Sequence, residues 1–175
     1  MKKLILLALA GLFIVACQEK QPVRFTTSSA EISSYKKGIE AYEKADWATW
    51  TSMFADTAKI YHNNWDTPAS AAQVQEGHIN TLSNLSSYGF DKDQMVYEQV
   101  LDDDGETWVN FWGLWKGTMK ANGKTISIPV HISAQYVDGK IVQEYGFWNM
   151  SEFVDEMQAL QAAAEAAAEA EEEAS

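Results

Sequence analysis

The stretch Ile128-Pro129-Val130-His131-Ile132-Ser133-Ala134-Gln135-Tyr136-Val137-Asp138-Gly139-Lys140-Ile141-Val142 decides the fold. From Ile128 to Tyr136 apolar side chains fall at every second residue, with His131, Ser133 and Gln135 between them. A period of two belongs to a strand with one face buried. Asp138-Gly139 interrupts the run, and Lys140 resumes it. Asp-Gly suits a type I′ turn, whose two central residues both need positive φ, so the stretch predicts a tight antiparallel hairpin.

Upstream, strand-like segments at 94–101 and 106–120 are joined by Asp102-Asp103-Asp104-Gly105, and Asn122-Gly123 links 106–120 to 125–137. With 140–149 they predict a four-stranded meander. Two-residue turns fix its register. Pairing Ala121 with Lys124 sets Trp112 opposite Ser133 and Leu114 opposite His131. Pairing Val137 with Lys140 sets Ser133 opposite Glu144 and His131 opposite Gly146. Alternation then yields a mixed face of Asn110, Trp112, Leu114, Lys116, His131, Ser133, Gln135, Val142, Glu144, Gly146 and Trp148. The opposite face, Val109, Phe111, Trp115, Val130, Ile132, Ala134, Tyr136, Ile141, Tyr145 and Phe147, is almost wholly apolar. Both are too apolar to stand open to water.

The first half reads as helical. Ser28 and Glu31 have capping-box spacing, and Ile32, Tyr35, Ile39 and Tyr42 recur on one helical face. Asp46 caps a short second helix bearing Trp47, Trp50 and Phe54. A short strand at 59–63 follows. Thr67-Pro68 then opens a third helix carrying Val74, His78, Leu82 and Leu85. Ser151 opens a last helix with Phe153, Met157 and Leu160 on one side, running into an Ala/Glu tail.

The order helix–helix–strand–helix–four strands resembles the nuclear transport factor 2-like superfamily, and within it the SnoaL-like branch. The resemblance covers about residues 34–150. It rests on Tyr42-Glu43-Lys44-Ala45-Asp46-Trp47 followed by Met53-Phe54-Ala55-Asp56-Thr57-Ala58, and on Ile128-Pro129-Val130-His131-Ile132 followed by Asp138-Gly139-Lys140-Ile141-Val142. It implies an α+β cone: a curved antiparallel sheet wrapped around N-terminal helices, with a pocket inside and a C-terminal helix. It also implies a catalytic aspartate at the position of Gly146, or of Asn149 if the match slips; neither residue can act as a base, which argues against cyclase chemistry. In ketosteroid isomerase-like members an oxyanion donor falls near His131. By putting Gly146 in the pocket, the resemblance assigns the mixed face to the pocket and the apolar face to a homodimer interface.

On that assignment the ligand-binding residues are Trp50, Phe54, Trp112, His131, Ser133, Glu144 and Trp148, with Tyr61, His62 and Trp65 near the mouth. His131 and Glu144 become diagonal neighbours, either an acid–base pair or a hydrogen-bonded structural contact. His78 reads as a core histidine. The three histidines lack zinc-ligand spacing, and no phosphate loop, G-x-S-x-G or dinucleotide fingerprint occurs, so neither metal nor cofactor is expected.

The N-terminus gives an address. Lys2 and Lys3 precede the apolar run 4–16, too short for the roughly 20 residues that span a bilayer. Ile14-Val15-Ala16-Cys17 resembles the lipobox of bacterial lipoproteins, which implies cleavage after residue 16 and lipid attachment at Cys17, the only cysteine. Gln18, rather than aspartate, points by the same resemblance to the outer membrane over the inner. The expected division is signal peptide 1–16, tether 17–27, domain 28–156 and tail 157–175. The chain carries a net charge of −12, and −14 without Lys2 and Lys3, which makes nucleic acid a poor partner. Three functions remain: an envelope lipoprotein binding a small, largely apolar molecule; a lyase, isomerase or hydrolase using His131 and Glu144; or a dimeric assembly module.

Overall fold

A computed structural model describes residues 23–173. The expected signal peptide, Cys17 and the expected tether up to residue 22 lie outside the described residues. Strands β1 (Phe25–Thr26), β2 (Phe54–His62), β3 (Leu85–Phe90), β4 (Val96–Leu101), β5 (Thr107–Met119), β6 (Thr125–Val137) and β7 (Lys140–Trp148) form one curved sheet. Helices α1 (Ala30–Glu43), α2 (Trp47–Thr51), α3 (Ala71–Leu82) and α4 (Ser151–Glu173) pack on it. The sheet runs β1-β4-β5-β6-β7-β2, and β3 shares the β4 edge of the long strand β5. Among the described residues no helix is long and apolar enough to cross a membrane.

The α+β architecture and the strand meander are as expected, with local differences. Helix α1 is capped by Ser29, whose hydroxyl accepts from the Ile32 amide, rather than by Ser28. Asp46 caps α2 through the Thr49 amide. Helix α3 starts at a capping box of Ser70 and Gln73 instead of at Thr67-Pro68. Strand β3 and the short β1, which lies in the expected tether, are additional. The sheet is mixed rather than antiparallel, because β2 pairs parallel to β7.

Two details of register change which residues face inward. Lys120 to Lys124 form a wide loop in which only Gly123 has positive φ, so Asn122-Gly123 is not a type I′ turn. The Asn122 side chain accepts from the Lys124 amide and donates to Glu156 of α4. Trp112 therefore pairs with His131 instead of Ser133. That two-residue shift preserves the faces. Asp138-Gly139 does form the expected turn, with φ of 50° and 75°, but Val142 is then an extra residue in β7. Tyr136 pairs with Ile141 and Gln135 with Gln143. A one-residue bulge turns the rest of the strand over.

The concave face consequently carries Val109, Phe111, Trp115, Val130, Ile132, Ala134, Tyr136 and Ile141, joined by Glu144, Gly146 and Trp148. Ile32, Tyr35 and Ile39 of α1, Trp50 of α2 and Val74 of α3 pack into this concavity. Phe153, Met157 and Leu160 of α4 cover Trp115, Met119, Ile126 and Ile128 at its other end. The apolar face is thus the domain's own core, and the mixed face, with Tyr145 and Phe147 added, is the outside.

Candidate functional site

The inner end of the concavity is built where β2 and β7 run side by side. The parallel register sets Ile60 beside Glu144 and His62 beside Gly146. Both members of each pair point inward. Asn63, in left-handed conformation at φ 50°, donates its amide to the Gly146 carbonyl, and its side chain accepts from the Trp148 amide. The strand ends are therefore clamped, and the His62 ring is held over Gly146. A Cβ at position 146 would lie 2.5 Å from Trp148 Cζ3 and 2.7 Å from His62 Cδ2. Glycine is what allows the two rings to meet edge to face at 4.7 Å.

His62 Nε2 donates to Glu144 Oε1 at 2.9 Å. Glu144 is 3% exposed, the only charged residue in the buried core of the described chain. Burial raises the Tyr35 phenol well above its usual range, and the nearby Glu144 carboxylate adds to that shift. From α3, His78 enters a nest of rings: it stacks on Trp47 at 6.2 Å and meets Tyr42, Trp50 and His62 at 5.1, 5.7 and 6.1 Å. Burial pushes its imidazole down to about 4, with the His62 charge adding to the effect. The neutral ring has no hydrogen bond to another described residue. Tyr42 is fixed in turn by Trp115, whose indole N–H donates to its hydroxyl at 3.1 Å.

These groups surround a cavity of about 420 Å³ between the helices and the sheet. Its wall is aromatic and aliphatic, and the polar side chains on it are Glu144, His62, His78, Gln73, Thr81 and two tyrosines. No lysine or arginine lines it. Among the described residues no three His, Cys, Asp or Glu side chains gather closely enough to hold a metal ion.

Of the expected ligand-binding residues, Trp50, Phe54, His62, Glu144 and Trp148 line this cavity, and Tyr61, Trp65, Trp112, His131 and Ser133 do not. The expected contact between His131 and Glu144 is corrected: the Val142 bulge puts them on opposite faces, and the partner of Glu144 is His62. Outside, His131 donates from Nδ1 to the Phe111 carbonyl at 3.2 Å and stacks on Trp112 at 4.7 Å. Trp65, 67% exposed, stacks on Tyr145 at 4.8 Å, and Tyr61 stacks on the same ring at 4.9 Å. Reading His78 as a core histidine missed its place in the cavity wall. The signal lay in its spacing of four from Val74, which put an imidazole on the buried side of α3 without saying what it faces.

No family model matches the chain, and no curated protein does. Solved structures do. The candidate hydroxylase AclR from Streptomyces galilaeus superposes with a TM-score of 0.59 at 14% identity, over 74% of this chain and 96% of its own. A candidate polyketide cyclase from Xanthomonas campestris gives 0.59 at 14%, over 74% and 98%. A candidate SnoaL-like polyketide cyclase from Shewanella denitrificans gives 0.57 at 13%, over 75% and 99%. The chain has the nuclear transport factor 2-like fold. In nuclear transport factor 2-like terms the cavity is the interior of the cone, and the SnoaL-like structures are those it resembles. Gly146, where the resemblance sets a catalytic aspartate, does face inward, but His62 and Trp148 fill the space a side chain there would need.

Proposed function

We propose that this chain is a lipoprotein of the bacterial cell envelope, anchored through Cys17 and directed to the outer rather than the inner membrane, whose nuclear transport factor 2-like cone binds a small, largely apolar molecule. The observation that carries the reading is the cavity: about 420 Å³, walled by rings and aliphatic side chains, with a few polar groups among them. Ligand sites share this size and makeup, because apolar burial drives binding and a few polar atoms orient the guest. An acid–base enzyme built on His131 and Glu144 has no support, since the two side chains lie on opposite faces of the sheet.

The test is native against denaturing mass spectrometry of the full chain. A small molecule retained in the first and lost in the second is the expected outcome. Trp148→Ala should weaken retention, and Trp112→Ala, which alters the outer face, should not. Equal retention in both variants would sink the cavity as the site.

A homodimer belongs to the same reading, moved to the outer sheet face. Register lines up Val96, Trp112, His131 and Phe147 across four strands. Val96, Trp112 and Phe147 are all exposed, and Trp65 flanks Phe147. An isologous interface needs such a patch.

A further inference from the structure

We infer that the guest of the cone is an organic cation, a protonated amine on an apolar body, whose N–H donates to Glu144. This rests on the cavity reading above. The Glu144 side chain is only 5% exposed, and its single hydrogen bond uses Oε1, to His62. A carboxylate can accept about four hydrogen bonds, and a buried one is costly unless paired and bonded. Oε2 has no partner among the described residues, on a side chain that lines the cavity. It is an unpaired acceptor, on a nearly buried carboxylate, that a guest in the cavity can reach.

The charge around it narrows the donor. No lysine or arginine lines the cavity, and His78 sits too deep among rings to hold a proton at neutral pH. The His62 N–H is already spent on Oε1. A ligand hydroxyl would give Oε2 a neutral hydrogen bond, whereas an ammonium gives it a charge-assisted one, roughly twice as strong. The wall suits the same guest, since Trp50, Trp148, Tyr42 and Tyr35 line it, and aromatic rings both attract a cation and cover an apolar body. The chain's net charge of −12 raises the local concentration of cations around it.

The experiment compares phenethylamine with 2-phenylethanol, its neutral counterpart, on the full chain at neutral pH. Quenching of the tryptophans in the cavity wall reports binding. The amine should bind about tenfold more tightly or better, the margin of a charge-assisted over a neutral hydrogen bond. Glu144→Gln should erase that margin. Equal affinities, or a preference for the alcohol, overturn the cation while leaving an apolar cavity. A margin that survives Glu144→Gln also overturns it, because the amine then sits elsewhere. No binding by either probe overturns both this inference and the cavity reading. The wild-type comparison decides the matter alone if Glu144→Gln does not fold.

Discussion

His62 and Glu144 meet at 2.9 Å across the parallel pair of β2 and β7, over a glycine. Three local features make that contact. The extra residue Val142 turns Glu144 inward, Asn63 clamps the ends of the two strands, and Gly146 leaves the His62 ring room beside Trp148. An aspartate here, which the resemblance assigns to this position, would push His62 off Glu144.

Gly146→Ala tests this arrangement. Its Cβ would overlap two rings that cannot swing aside freely, so a loss of about 1–3 kcal/mol is expected from overpacking. Denaturant unfolding measures it, and Gly146→Asp should cost more. A wild-type midpoint for Gly146→Ala would mean that the rings are not held as described.

Much of the fold was legible because local chemistry and tertiary demand agree. Asp46 caps α2 alone, and Asp138-Gly139 turns alone, since both central residues take positive φ. Where the sequence misled, the deciding partner was distant. Asn122 has the chemistry of a tight turn but spends its side chain on Lys124 and on Glu156, 34 residues away. The Val142 bulge was invisible for another reason. Ile141 and Val142 are both β-branched and apolar, so alternation reads equally well in either register until the parallel strand β2 is in place. That one slip exchanged the two faces of β7, and so parted Glu144 and Trp148 from Trp112, His131 and Ser133.

The outer face carries its own prediction. Phe147 is 41% exposed and pairs across strands with His131, so a charge there costs the monomer little. In the proposed homodimer the same charge would meet its own copy or be buried. Phe147→Glu should therefore convert a dimer into a folded monomer in sedimentation velocity. A dimer that survives the change places the interface elsewhere.

Helix α4 divides into an anchored and an exposed part. Phe153 is buried among Met119, Ile126 and Ile128, whereas every residue from Gln161 to Glu173 is exposed. Phe153→Ala should cost about 3–5 kcal/mol. Truncation after Leu160 should change stability by less than about 0.5 kcal/mol, the range of surface changes. A large loss on truncation would show that the alanine-rich half packs against something.

His78 gives the fold a dependence on acid. Its imidazole falls from 6.5 in the unfolded chain to about 4 in the folded one, because protonation would leave a charge buried among Trp47, Trp50 and Tyr42. Between those values the unfolded chain binds more protons than the folded one. Stability therefore rises with pH across the window, and is lost as pH falls from about 6.5 to about 4. Each unit of difference is about 1.4 kcal/mol, so the full effect is on the order of 3 kcal/mol. His78→Phe keeps a ring in the nest and removes the titration. Chemical denaturation of both proteins at intervals from pH 7 to pH 4 should show a slope in the wild type that is flatter in His78→Phe. Parallel slopes would mean that a carboxylate, and not His78, sets the acid limit of the fold.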